Sequence, residues 1–586
     1  MLKIWRSAYS RFGIHVEFPD DLLDETITAE KSYTDEVLKE ISGNGFNAVW
    51  VHGQLHHIVP HPRYPEFAPN SSQHLHALKT LCARAKRFGI KVYLYLQPPR
   101  AIPVNEKAFW AAHGEDGGQT LESYGDDGSR FYVRSLCTSL PGVRQYIRES
   151  FAELLHQLPE LGGLIIISAS EYPAHCYSCR NCKPGPPRPR KLVMEHIATN
   201  CPHCGEREPE EVVLELIHTI RDGVRSVSAE LDLIFWNWSW SMYIDPPCQT
   251  IIERLPKDIY LLLDFERGGY RKDGTFINEY SLGYSGPSEQ FLETKAVSEC
   301  CGIPVLPKFQ LGTTHELATV RNLPVIENLF HKAEYIRKNR LNGFMGCWNF
   351  GNLTSVSLKA FLYFLDLPDT VSCGEALQMF ARKMYPASDP EKIAAAWTLF
   401  TEAMENYPFT VPFLYSGPQN HSLALIPQKG PLSGTKVGRS FLPDERGDSY
   451  IDSETEEFPL DEIISRFGKV SEIWERGVAF LQETMPEDHI DLGNAVICGA
   501  VWKSVSNMFR IYRLRKQWCD SMTGEWLELV KAELNVMEYV LPYVEADPQQ
   551  GWHIEGDFYS FNAELIRKKI KTLKEVVSPR ISSENN

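Results

Sequence analysis

The chain contains a run of buried-strand character, Gly162-Gly163-Leu164-Ile165-Ile166-Ile167-Ser168-Ala169-Ser170, that leads straight into an acid, Glu171. A carboxylate at the carboxyl end of a buried parallel strand is where barrel enzymes keep an acid or a base. The loop that follows holds Cys176, Cys179, Cys182, Cys201 and Cys204. Cys179-x2-Cys182 and Cys201-x2-Cys204 stand 18 residues apart, the spacing of a four-thiolate zinc ribbon. Cys176 is a spare, and His175, His196 and His203 are alternative ligands. Four thiolates close the coordination shell of zinc and leave no open position, so the expected ion is structural. The segment between the pairs, Lys183 to Arg190, is rich in Pro and Arg and cannot pack as a core without such a tie.

Other strand ends supply the rest of a site. Asp264 and Glu266 close the sixth apolar run and offer the partner to Glu171. Two carboxylates on opposite sides of a barrel mouth can act as acid and base across a glycosidic bond. Arg11, His52, Gln97 and Asn349 are placed to bind hydroxyls, and the flat rings of Trp238 and Trp348 suit a sugar face. Trp236, Trp238 and Trp240 alternate with Phe235, Asn237 and Ser239, so only one set faces the mouth. The bland readings are an ion-pair cluster for Asp264-Phe265-Glu266-Arg267 and core packing for the tryptophans.

The elements that must position these groups alternate between short apolar strand and amphipathic helix about eight times. Strands are expected within 3–18, then at 47–52, 91–97, 164–168, 232–238, 259–264, 304–309 and 343–348. Several are apolar on both faces, as in a helix-covered parallel sheet. No Gly-rich phosphate loop follows the first strand, which disfavours a doubly wound sheet. The expected architecture is an α/β (β/α)₈ TIM barrel over 1–366, with the zinc knuckle at 176–204 inserted after strand 4. A mainly α-helical domain over 367–586 follows, interrupted by an irregular, Pro/Gly/Ser-rich stretch at 408–458. It packs on the barrel or contributes a homodimer interface.

Composition narrows the class. The chain has 586 residues, 43% hydrophobic and 23% charged, with a net charge of −16. That balance argues against nucleic-acid binding, which needs a basic surface. No apolar run approaches the roughly 18 residues of a membrane span. The N-terminus lacks the apolar core of a secretion signal, and 14 scattered or zinc-spaced cysteines fit a reducing compartment, so a cytoplasmic protein is expected.

Phe46-Asn47-Ala48-Val49-Trp50-Val51, followed by Phe88-Gly89-Ile90-Lys91-Val92-Tyr93-Leu94, resembles the opening of glycoside hydrolases related to the β-N-acetylhexosaminidases, a family 20-like barrel group. Leu136-Cys137-Thr138-Ser139 and Glu171-Tyr172-Pro173-Ala174-His175-Cys176 resemble a branch of that group. The resemblance implies an exo-acting glycosidase with Glu171 as general acid and a glycoside or oligosaccharide as substrate. In the hexosaminidases proper an aspartate precedes the acid and orients the substrate's acetamido group; here that position is Ser170. The α-glucuronidases pair a fourth-strand glutamate with acids at the sixth-strand end and carry a helical C-terminal region. Asp264 or Glu266 would be the base of such an inverting enzyme. A barrel that binds carbohydrate without turning it over is the remaining alternative.

Overall fold

The computed structural model describes residues 1–7, 24–124, 130–169, 174–177, 183–184, 194–195, 199, 201–242, 244, 246–312, 315–348, 353–440, 446–553 and 558–578. Eight parallel strands close into a barrel, each hydrogen-bonded to its neighbours in chain order. They are β1 (Leu2–Trp5), β2 (Ala48–His52), β3 (Lys91–Leu96), β4 (Gly163–Ile167), β5 (Asp232–Trp236), β6 (Tyr260–Asp264), β7 (Val305–Lys308) and β8 (Gly343–Met345). Every residue of β2 and β4 is buried, because the barrel interior takes one face and packed helices take the other. Close approach inside the barrel is allowed at Gly163. A Cβ there would lie 2.3 Å from Tyr93 Cε1 and 2.6 Å from the Asp232 carbonyl oxygen. The Tyr93 hydroxyl donates to the Asp232 carboxylate at 2.5 Å across that gap.

The helices start where local chemistry allows. Thr34 caps α1 (Asp35–Gly43) by accepting from the Val37 N–H. α2 covers Ser71–Lys86. Proline occupies the first turn of α3 (Pro141–Gln157) and α4 (Pro209–Arg225), where no backbone donor is needed. Ser288 caps α5 (Glu289–Cys300) through the Phe291 N–H.

Between β3 and α3 the sequence reads as a long turn-rich loop. The structure instead holds a small antiparallel sheet of Ile102–Pro103, Gly117–Tyr124 and Arg130–Leu136. Its two longer strands mix polar and apolar residues and lack the continuous apolar runs that mark the barrel strands.

The chain divides into two compact units. One comprises residues 1–269, 287–309 and 340–351 and contains the whole barrel; the other comprises 270–286, 310–339 and 352–586. This grouping is interleaved along the chain: segments following β6, β7 and β8 count with the second unit. That unit is mainly helical: α6 (Ile326–Asn339), α7 (Val356–Leu365), α8 (Cys373–Met384), α9 (Pro390–Met404), α10 (Leu460–Gln482), α11 (Ile490–Lys516), α12 (Thr523–Ala546) and α13 (Ala563–Val577). Phe400 of α9 stacks on Trp474 of α10 with ring centroids 4.3 Å apart. The Lys569 ammonium of α13 and the Glu533 carboxylate of α12 form a fully buried pair at 2.6 Å, with Ser504 and Asn507 also donating to Glu533. Among the described residues no helix is long and apolar enough to cross a membrane.

Candidate active site

The carboxyl ends of the barrel strands bring together a dense aromatic group. Trp348, just beyond β8, stacks on Trp50 of β2 with centroids 4.8 Å apart and planes 20° apart. It meets Tyr95 of β3 edge-on at 4.9 Å and Trp236 of β5 at 5.2 Å. Trp50, Tyr95 and Trp236 are buried, whereas Trp348 is half-buried. Alternate residues along a strand share a face, so Trp50 and His52, like Tyr95 and Gln97, present successive layers to the same interior. The His52 ring meets the Tyr95 ring edge-on at 4.6 Å.

Polar groups ring this floor. Gln97 donates to the Tyr95 hydroxyl at 2.5 Å and accepts from Arg100 at 2.8 Å. A small pocket lies beside them, lined by His52, Gln54, His56, Gln97, Arg100 and Tyr146. Burial, with His57 and Arg100 nearby, pushes the His56 pKa well below the usual imidazole value and keeps the ring neutral.

Asp264 ends β6 and is oriented from two sides. The Trp236 indole N–H donates to one carboxylate oxygen at 3.2 Å, and the Arg267 guanidinium lies 3.9 Å from the other. Arg267 also lies over the Trp238 ring at 4.1 Å and donates to the Trp238 carbonyl at 3.0 Å. One face of Trp238 is thus occupied by a cation, so its role as a sugar platform is narrower than that of Trp348. Glu266 lies two residues on and is wholly buried; Asp264 retains some exposure. Lys308, the last residue of β7, sits 5.4 Å from the Trp236 ring centroid.

Residues 6 and 25 complete the mouth and were not among the expected ones. β1 stops at Trp5, so Arg6 is the residue that follows the strand. The Arg6 guanidinium covers the Trp50 ring at 3.9 Å, donates to the Trp348 carbonyl at 3.2 Å and pairs with Glu25 at 2.5 Å. Glu25 in turn accepts from the His52 backbone N–H at 3.2 Å. The polar Arg6-Ser7 step inside an otherwise apolar opening is the signal that could have ended the strand there. Tyr95 could have been found by counting back two residues from Gln97.

Arg11, Ser170, Glu171, Asn349, Cys179 and Cys182 lie outside the described residues. What frames Glu171 in the chain is described. β4 ends at Ile167, and the His175 Nε2–H donates to the Ser168 carbonyl at 2.6 Å, bridging the two sides of the short segment that carries the acid. The Tyr177 N–H donates to His175 Nδ1 at 3.2 Å, which sets this tautomer, and burial holds the His175 pKa down at about 4.

The thiols form a group that spacing alone does not draw. Cys201 and Cys204 come together with Cys137 and Cys176, and all four sulfurs lie within 4.8 Å of one another. Cys137 follows the hairpin strand Arg130–Leu136, 39 residues before Cys176 in the chain. Nothing in local spacing marks so distant a partner.

No family model and no curated protein matches this chain. Solved structures are similar to it. A GH138 enzyme targeting pectin rhamnogalacturonan II is 11% identical, with a TM-score of 0.51, over 98% of this chain and 66% of that one. The chain thus spans just under two thirds of that protein's length. A Thermobaculum terrenum O-GlcNAc hydrolase mutant is 10% identical over 92% of this chain and 90% of that one, with a TM-score of 0.33. A broad-specificity GH5-4 endoglucanase from an uncultured bacterium is 8% identical over 63% and 94%, with a TM-score of 0.38. At 11% identity the likeness to the GH138 enzyme is one of fold.

Proposed function

We propose that this chain is a glycoside hydrolase that seats a sugar ring in the barrel mouth against Trp348. The observation that carries the reading is Asp264, a carboxylate held by the Trp236 N–H beside an aromatic floor. Trp348 supplies a flat apolar face, while His52, Gln97 and Arg100 supply donors and acceptors for hydroxyls. Glu171, four residues beyond β4, is the general acid that protonates the leaving oxygen. Asp264 is its partner, with Glu266, two residues on and wholly buried, as the alternative carboxylate. Asp264 ends β6, and β5 separates that strand from β4, the strand that precedes Glu171 in the chain. A separation of roughly 6.5–9.5 Å would leave room for a water and invert the anomeric centre; about 5–5.5 Å would place a carboxylate as nucleophile. We read the enzyme as exo-acting and hexosaminidase-like, with Ser170 in place of the aspartate that orients an acetamido group.

A second reading rests on the cations. Arg6, Arg100, Arg267 and Lys308 all stand at strand ends around the mouth, which suits a sugar acid and an α-glucuronidase-like inverting reaction. The likeness in fold to an enzyme targeting pectin rhamnogalacturonan II fits a polysaccharide-derived substrate.

A panel of nitrophenyl N-acetylhexosaminides and uronides, run on the native chain and on Asp264→Asn, tests both readings. Turnover of one class is expected, cut by roughly 10²–10⁴ in the variant. Turnover that Asp264→Asn leaves intact removes this carboxylate from the mechanism. Saturable sugar binding without turnover would make the protein a carbohydrate-binding barrel.

A further inference from the structure

We propose that Cys137, Cys176, Cys201 and Cys204 form a tetrathiolate zinc site that fastens the hairpin insertion to the loop leaving β4. In a tetrahedral site with Zn–S bonds near 2.3 Å, neighbouring sulfurs stand about 3.8 Å apart. Cys137 Sγ lies 3.5 Å from Cys201 Sγ and 3.7 Å from Cys204 Sγ, too far for a disulfide and close to that edge length. All four side chains are buried, packed with Tyr177 and Val212. Four crowded, buried thiols without a bond between them have little reason to be there unless a cation draws them together.

The surroundings are built for such a site. The Cys204 and Gly205 N–H groups both turn back to the Cys201 carbonyl, the tight turn that lets one Cys-x2-Cys pair grip a single ion. Ser139 Oγ lies 3.1 Å from Cys204 Sγ and Ser135 Oγ 3.5 Å from Cys176 Sγ, outer contacts that suit thiolates. Gly118 of the hairpin lies against the cluster; a Cβ there would come within 2.3 Å of Cys176 Sγ.

The ion would join three parts of the barrel unit. Cys137 ends the hairpin and precedes α3, Cys176 closes the segment after β4, and Cys201 and Cys204 precede α4. The segment carrying Glu171 is then anchored on one side by β4 and on the other by metal-bound Cys176. That consequence rests on the glycosidase reading; the metal site itself does not. Four thiolates fill a tetrahedral shell, so this assignment takes no ligand from Cys179 or Cys182.

The test is made on the native chain first. Zinc content by elemental analysis should be about one per chain. Peptide-level alkylation should leave Cys137, Cys176, Cys201 and Cys204 protected until a chelator is added. Cys137→Ser should weaken zinc binding by more than about 100-fold, beyond the cost of losing an outer contact, whereas Cys179→Ser and Cys182→Ser should retain it. Absence of metal, or loss of zinc in Cys179→Ser with retention in Cys137→Ser, overturns the assignment. Should Cys137→Ser fail to fold, the alkylation pattern of the native chain decides alone. Zinc retention with no glycosidase activity in the native chain would leave the metal site standing and remove only its link to Glu171.

Discussion

The Trp236 indole N–H donates to the Asp264 carboxylate at 3.2 Å, tying the last residue of β5 to the last residue of β6. This bond, with Arg267 on the other oxygen, orients the carboxylate without fully covering it. Trp236→Phe keeps most of the ring and removes the donor. We expect kcat to fall roughly tenfold, the equivalent of one hydrogen bond of about 1.4 kcal/mol, with KM little changed. Equal kcat values for the variant and the native chain would show that the orientation of Asp264 does not matter.

Trp348 touches Trp50 on one face and remains half-buried. Trp348→Ala should raise KM about tenfold, since a stacking surface contributes binding common to the ground and transition states. Trp348→Phe should recover part of it. A lowered melting temperature with unchanged KM would make this ring a core residue only.

Glu171→Gln should leave the fold intact and cut kcat by roughly 10²–10⁴ on substrates with poor leaving groups. Activated aryl glycosides need little protonation, so their loss should be smaller. Equal losses on both kinds of substrate would contradict a general-acid role.

Acid should destabilise the helical unit through its buried histidines. Burial, with Arg446 nearby, lowers the His553 pKa to about 3 and takes His421 well below the usual imidazole value. Between the unfolded value near 6.5 and the folded value the unfolded chain holds the extra proton, so stability rises with pH in that window. It is complete above about pH 6.5 and is lost as pH falls toward 3, by about 1.4 kcal/mol per pH unit per group. His553→Phe should flatten the acid limb of the curve of melting temperature against pH. A variant curve that parallels the native one would show that this imidazole does not carry the effect.

The barrel was legible in the chain because its signals are local. Runs such as Ala48–His52, Gly163–Ile167 and Tyr260–Asp264 are apolar on both faces, and Pro141, Pro209 and Ser288 mark helix starts within a few residues. Strand ends are local too, so His52, Gln97 and Asp264 could be named from their positions, and the structure brings them to one mouth. The end of β1 could not be fixed within 3–18 because its run is too short to show a period; the strand stops at Trp5, and Arg11 lies outside the described residues.

Tertiary structure alone decided which groups touch. Whether Trp236 or Trp238 meets the carboxylate depends on the rotation of β5 against β6, and period-two alternation leaves both on one face. The Arg6–Glu25 pair closes over Trp50 from positions 19 residues apart in the chain. The thiols make the same point most sharply. Spacing finds Cys201-x2-Cys204 because one turn brings its two sulfurs together, but Cys137 reaches them only after the hairpin folds beside the β4 loop. A contact made within one turn is written in consecutive residues; a contact made between elements is written only in how they pack.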